Sequence, residues 1–219
     1  GVRRLATSKG FPTNAIFGFT SMVVKVLKTH HPDLLGMIFD APGPTFRDAL
    51  YKEYKATREA MPEDLSKQIP YIKEVPRALN IPTLEVPGVE ADDVIGTLAT
   101  QANDDGLDVV IVTGDKDLMQ LVTKQTGDAK PGVILYDDMK DRLIGIDEVK
   151  EKFGVPPERV LDVQALMGDA TDNIPGVKGI GEKTAAMLVS RHGSLEEIYG
   201  ALDTIEPRYR KLPTGKSGM

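Results

Sequence analysis

Three separate apolar runs in this chain end in carboxylates. "LLGMIFD" closes on Asp40, "IPTLEVPGVEADD" runs into Glu90, Asp92 and Asp93, and "LDVVIVTGDKD" into Asp115 and Asp117. Short apolar runs bounded by Gly and Pro read as strands. They alternate with stretches of helical spacing, "AIFGFTSMVVKVLKTH", "SKQIPYIKEVPRALN", "ADDVIGTLATQAND" and the short "KDLMQLV", and "VILYDD" reads as a further strand. Pro70 and Pro76 mark a kink or break in the second of these helices. Such alternation predicts an α/β fold with a mostly parallel sheet. In open sheets of that kind the ligand site lies beyond the carboxyl ends of the strands, so the three runs are expected to deliver six carboxylates to one edge. "MGDATDN" adds Asp169 and Asp172 at i, i+3 spacing, which suits one helical face or a tight turn.

The texture changes near residue 147. From there the chain offers short helical patterns between Gly and Pro turns and no clear strand, which predicts a second, all-helical subdomain over 147–219 after an α/β core over 1–146. There is no internal repeat and no low-complexity tract.

Composition narrows the chemistry. With no cysteine among 219 residues there is neither a disulfide framework nor a thiolate metal site, so any metal must be held by oxygen or imidazole. This fits a reducing cytoplasm, the expected location. No apolar run approaches the roughly 20 residues that span a bilayer, and the first residues lack the apolar segment of a secretory signal. The formal net charge of −6 does not exclude a polyanionic partner, because residues 1–32 carry Arg3, Arg4, Lys9, Lys25 and Lys28 and no acid.

Asp40, Glu90, Asp92, Asp93, Asp115, Asp117, Asp169 and Asp172 together suit a hard divalent cation, Mg²⁺ or Mn²⁺, and exceed what one ion needs, so two ions are expected. Two ions could activate a water and stabilise the leaving oxygen of a phosphodiester. Each acid alone has a plainer reading: Asp115 as a helix cap, Asp92 and Asp93 as partners of a helix dipole, Asp40 as a turn residue. A phosphatase of the haloacid dehalogenase type also places Asp-x-Asp after a strand, but Leu118 and Met119 follow here, and no Lys and acid pair appears in the expected order.

Two segments look suited to phosphate. In "NIPGVKGIGEKTAAML", Gly176, Gly179 and Gly181 let backbone approach a ligand, Lys178 stands among them, and a helix is predicted from near Glu182 with Lys183 in its first turn. The plain alternative is a helix–helix turn with a glycine cap. In "FRDALYKEYKATREAMPEDL", helical spacing would put Arg47, Tyr51, Tyr54, Lys55 and Arg58 on one stripe. Basic groups interleaved with rings suit a single strand, although a solvated face with i, i+4 ion pairs would look the same.

The ordered motifs "FDAPGPTFRD", "YKATREAMPEDL", "GVEADDVIGTLA", "TGDKDLMQLV" and "LMGDATDNIPGVKGIGEKTA" resemble the 5′-nuclease domain of bacterial DNA polymerase I, in the flap endonuclease family, over about residues 7–200. The resemblance implies a PIN-like core with a helical arch near 46–66 and a C-terminal helix–hairpin–helix. It implies Mg²⁺-dependent cleavage of 5′ ends and 5′ flaps of DNA, as in RNA-primer removal, replication and repair. Its substrates would be flapped or nicked DNA and the RNA–DNA primer junction, and the chain would act as a monomer, fused to or working with a polymerase. Asp40, Glu90, Asp92 and Asp93 resemble the first-metal group and its neighbours, and Asp115, Asp117, Asp169 and Asp172 the second. Lys55 and Arg58 resemble the arch residues that contact the scissile phosphate, and the Gly-rich hairpin one that grips duplex DNA, with a K⁺ ion on its carbonyls. The family pattern begins with an apolar strand ending in Asp-Gly and continues past "IEPRYRK"; this sequence starts after the one and stops near the other. Weak cleavage is therefore one expectation and a non-catalytic, structure-specific DNA binder the alternative. An RNA-processing nuclease on the related PIN-type core fits the hairpin less well.

Overall fold

The computed structural model describes residues 5–205; the early Arg3 and Arg4 and the terminal "RYRKLPTGKSGM" lie outside them. The chain divides into two compact units, residues 1–46 with 58–91, and residues 47–57 with 92–219.

In the first unit, helix α1 (Asn14–His30) packs on α4 (Ile69–Ala78). Val23, Val26, Ile72 and Ile81 are buried in this unit. The Thr13 side chain leaves the start of α1 uncapped. The fully buried Gln68 does that work from elsewhere: its Oε1 accepts from the N–H groups of Ala15 at 2.9 Å and Ile16 at 3.2 Å, while its Nε2 donates to the Asp64 carbonyl. Two N–H groups that α1 cannot satisfy internally thus find an acceptor in the core. The helix α4 runs through both prolines. Pro70 falls in the first turn, where no N–H is needed, and Pro76 in the last. Strands β1 (Met37–Ile38) and β2 (Thr83–Leu84) pair in parallel as a two-stranded sheet, and the short helix α3 (Glu63–Ser66) precedes α4.

The second unit is built around β4 (Val133–Asp137), a strand buried at every position. A continuous apolar run of this kind needs cover on both faces. Strand β3 (Val109–Val112) lies parallel to it and β5 (Arg142–Ile144) antiparallel on its other edge. The helices α5 (Ala91–Asp104), α6 (Ile146–Phe153), α7 (Val160–Met167), α8 (Glu182–His192) and α9 (Leu195–Gly200) add to one core in which Leu135, Val149, Phe153, Val160, Val163, Leu166, Ala185, Leu188 and Ile198 are almost wholly buried. Helix α9 starts on a reciprocal capping box, Ser194 with Glu197. Among the described residues no helix is long and apolar enough to cross a membrane.

The parallel strand pairing expected of the α/β fold is present, but in two separate sheets rather than the single one predicted, and β5 joins the second as an unpredicted antiparallel edge. Between residues 147 and 205 the described chain is mainly helical, α6 to α9, and a small antiparallel pair, β6 (Gly168–Asp169) with β7 (Ile174–Pro175), interrupts the helices. The larger departure is the helical stripe. Helix α2 covers only Phe46–Leu50, and residues 52–57 form turns. Tertiary hydrogen bonds oppose the local helical preference here. Lys55 has a left-handed backbone, φ 55°, with its N–H on the Asp172 carbonyl at 2.9 Å, and the Asn173 amide donates to the Glu53 carbonyl at 2.7 Å. Arg47, Tyr51, Tyr54, Lys55 and Arg58 therefore do not share a helix face.

Asp137 shows how β4 is closed off. Its carboxylate is buried and accepts from the Lys140 N–H at 3.1 Å and the Lys140 ammonium at 2.7 Å. The Lys140 contact, opposed by burial, holds its pKa below the ordinary carboxylate value. A depressed carboxyl contributes stability above its unfolded pKa and loses it as pH falls through the folded value. Asp137→Asn should cost about 1 kcal/mol at neutral pH, since Lys140 is exposed and the pair is screened. The difference between variant and wild type should shrink as pH falls through the carboxylate range, measured by urea unfolding at a series of pH values.

Candidate active site

The predicted acids fall in both units. In the first unit, Asp40 sits two residues past β1 and its Oδ1 accepts from the Ala91 N–H at 2.8 Å, capping the start of α5. Glu90 immediately precedes that helix and is half-buried. The other six acids belong to the second unit.

Asp92 and Asp93 occupy the first turn of α5. Asp93 is held by Arg47 in a two-pronged ion pair, Nη1 to Oδ2 at 2.6 Å and Nη2 to Oδ1 at 2.8 Å. That fork fixes the carboxylate plane as well as its charge.

The loop after β3 is shaped by its own acids. The Asp115 N–H donates to Thr113 Oγ1 at 3.0 Å, and Asp115 Oδ1 accepts from the Asp117 N–H at 2.9 Å, closing a tight turn around Lys116. Asp117 opens a 3₁₀ turn running to Leu121, whose neighbour Leu118 is buried in the core. The Lys116 ammonium then reaches Asp117 Oδ1 at 2.9 Å and Asp169 Oδ2 at 3.0 Å. Gln164, on α7, donates its amide to the same Asp117 oxygen.

Asp169 ends β6, and its Oδ1 accepts from the Thr171 N–H at 2.8 Å. Burial pushes the Asp169 carboxyl up, but the Lys116 ammonium and the Thr171 N–H outweigh it and hold the group below its ordinary value. Burial likewise opposes the charge on Lys116, and the hydrogen bonds of Asp117 and Asp169 raise it above the usual lysine value. Three residues on, Asp172 accepts from the Tyr54 hydroxyl at 3.1 Å. The i, i+3 spacing of Asp169 and Asp172 thus serves the tight turn between β6 and β7.

The second unit therefore gathers Asp117 with Asp169 around one cation, ties Asp172 to Tyr54, and ties Asp93 to Arg47. Among the described residues no three of these acids stand together as a ready-made metal-holding group. Lys116 and Gln164 were not singled out from the sequence. Lys116 had a signal, a lone cation between two acids in "GDKD"; Gln164 had none.

The Gly-rich segment lies between α7 and α8. Val177 donates to the Leu166 carbonyl and Ile180 to that of Val177, so the backbone folds back in a tight hairpin. Gly179 has φ +87°, and Gly181 is the N-cap of α8, which begins at Glu182 as its spacing predicts. Lys178 and Lys183 are exposed, and neither forms an ion pair among the described residues. Around the other basic segment, Tyr51 and Arg58 are exposed, and the Lys55 ammonium lies 4.8 Å from the Tyr54 ring centre.

Residues 2–154 match the family described as 5′-3′ exonuclease, N-terminal resolvase-like domain, and residues 155–217 that described as 5′-3′ exonuclease, C-terminal SAM fold. DNA polymerase I of Caldicellulosiruptor bescii is 48% identical over 213 residues, 97% of this chain and 25% of that protein. A 5′-3′ exonuclease of Aquifex aeolicus is 43% identical over 212 residues, 97% of this chain and 70% of that protein. The flap endonuclease of bacteriophage T5, solved in a pseudo-enzyme-product complex with DNA and metal ions, shares the fold with TM-score 0.73 at 22% identity, over 89% of this chain and 73% of that one. The chain thus spans about a quarter of the polymerase it matches and over two thirds of the A. aeolicus exonuclease. The chain therefore belongs to the 5′-3′ exonuclease family, with a resolvase-like first domain and a SAM-fold second.

Proposed function

We propose that the chain is a divalent-metal-dependent 5′-nuclease that hydrolyses phosphodiesters at 5′ ends and 5′ flaps of DNA, the activity used in primer removal and repair. The observation that carries this reading is the pairing of Asp117 and Asp169, from separate segments, on one positive charge at 2.9 and 3.0 Å. A site whose carboxylates already share a cation is chemically suited to a hard metal ion. Asp115, Asp117, Asp169 and Asp172 would hold one Mg²⁺ or Mn²⁺, and Asp40, Glu90, Asp92 and Asp93 would provide for another. Such ions, when bound, supply an activated water and charge to offset that of the leaving oxygen.

The rest is work for the chain's own side chains. Lys55 and Arg58 are the groups assigned to the scissile phosphate, where two cations neutralise the charge that develops during displacement. Arg47, Tyr51 and Tyr54 are assigned to the single-stranded 5′ end, although the fork to Asp93 and the hydroxyl bond to Asp172 place Arg47 and Tyr54 equally well as supports for acids. Lys178, Gly179, Gly181 and Lys183 are assigned to the phosphates of the duplex, where exposed N–H groups and ammonium charges bind without reading bases. A K⁺ ion on the carbonyls of this hairpin, a monomeric state and action beside a polymerase in the cytoplasm complete the proposal. The C. bescii relative, a DNA polymerase I, supports the association with a polymerase.

The test is cleavage of a 5′-labelled flap duplex in Mg²⁺ or Mn²⁺, with a chelator control. Cleavage near the flap junction, abolished by chelator, is the expected result. An intact substrate with flap binding retained in chelator would replace the nuclease reading with that of a structure-specific DNA binder.

A further inference from the structure

The position of Lys116 goes beyond the ligand assignments. It lies inside the acid turn, between Asp115 and Asp117, and its side chain bridges Asp117 Oδ1 and Asp169 Oδ2. The bridged carboxylates are otherwise anchored from outside: Asp117 by Gln164 and Asp169 by the Thr171 N–H. One oxygen of each faces the ammonium. Two carboxylates brought this close repel each other unless a positive charge sits between them.

Resting on the metal reading above, we propose that Lys116 is a resident counter-ion: it holds Asp117 and Asp169 at bridging distance in the metal-free chain, and a divalent ion must displace it to bind them both. The consequence is a deliberate weakening of metal affinity at this pair. Lysine suits the role because its single charge sits on a flexible stem and can swing away intact, which a rigid two-pronged arginine would do less readily. A divalent ion offers twice the charge and bonds both carboxylates more closely than an ammonium can, so displacement is favourable but opposed. Lys116 is thus a positioning residue, acting through the acids it joins.

The test is Mn²⁺ binding to the full chain without DNA, followed by the electron paramagnetic resonance of free Mn²⁺, for wild type, Lys116→Met and Lys116→Arg. Lys116→Gln serves as a second uncharged variant should the Met variant fold poorly. An uncharged side chain leaves the acids uncompensated, so it should bind Mn²⁺ at least about tenfold more tightly, about 1.4 kcal/mol. The same variant should have a lower melting temperature without metal, regained on adding Mn²⁺, while Lys116→Arg should bind no more tightly than wild type. Unchanged or weaker affinity in both uncharged variants, with wild-type binding intact, would overturn the counter-ion role while leaving the metal site standing. No Mn²⁺ binding by wild type or any variant would overturn both.

Discussion

Asp115→Asn should abolish most flap cleavage while leaving the fold in place. The substitution is isosteric, and the Asn carbonyl oxygen can still accept the Asp117 N–H that Asp115 Oδ1 now accepts at 2.9 Å. Asx turns tolerate either residue for this reason. The turn that carries Lys116 and Asp117 is therefore retained, and unfolding free energy should stay within about 0.5 kcal/mol of wild type, the ordinary range for a surface change. What is lost is one negative charge at a proposed ion-binding position. Removing a group that stabilises transition-state charge typically lowers turnover by about 100-fold or more, so flap cleavage at saturating Mg²⁺ should fall by at least that factor. Cleavage within about threefold of wild type would make Asp115 a loop-forming residue only. Urea unfolding of the same preparation separates a lost charge from a lost fold.

The parts of this fold that were legible share one property: their signals are local. The run "VILYD" is apolar or buried throughout and became the central strand β4. Gly181 followed by Glu182 and Lys183 marks a helix start near Glu182, and α8 begins at that residue. The segment 51–57 was misread because what shapes it is far away in sequence. Tyr54 and Asp172 are 118 residues apart, and the bonds from Lys55 to Asp172 and from Asn173 to Glu53 cross a similar gap. Helical spacing could not reveal that these bonds would be made. Gln164 is a similar case, 47 residues from the Asp117 oxygen it supports and without any pattern to mark it. Carboxylates at strand ends are recognisable in the sequence as residue types. That Arg47, Lys116 and Tyr54 pair with these acids is not legible in the sequence, because pairing depends on direction as well as on spacing.

Gly176→Ala is expected to be strongly disruptive for so small a substitution, and it tests how Asp169 is held. A Cβ on Gly176 would stand against the carbonyl of Met167 and the N–H of Gly168, both backbone atoms that have no rotamer to yield. Gly168 is constrained reciprocally: its φ of +74° suits glycine, and a Cβ there would meet the Gly176 nitrogen and the Ile174 carbonyl. The end of α7, β6 and the residue after β7 are therefore in backbone contact, and Asp169 is the next residue along β6. Relieving the clash must move β6 away from Gly176, and Asp169 with it. The strain and lost bonds should destabilise the chain by about 2–4 kcal/mol, which for a protein of this size lowers the melting temperature by roughly 5–15 °C. Gly179→Ala is the matched control. Its φ of +87° also disfavours a side chain, but nothing lies within 4 Å of the added Cβ, so it should cost only about 1–2 kcal/mol. Thermal unfolding and Mn²⁺ affinity, measured side by side, should show both quantities impaired in Gly176→Ala, and Mn²⁺ affinity preserved in Gly179→Ala. Equal behaviour of the two variants would mean that the close approach of Gly168 and Gly176 does not position Asp169, and that its placement comes from Lys116 and Thr171 alone.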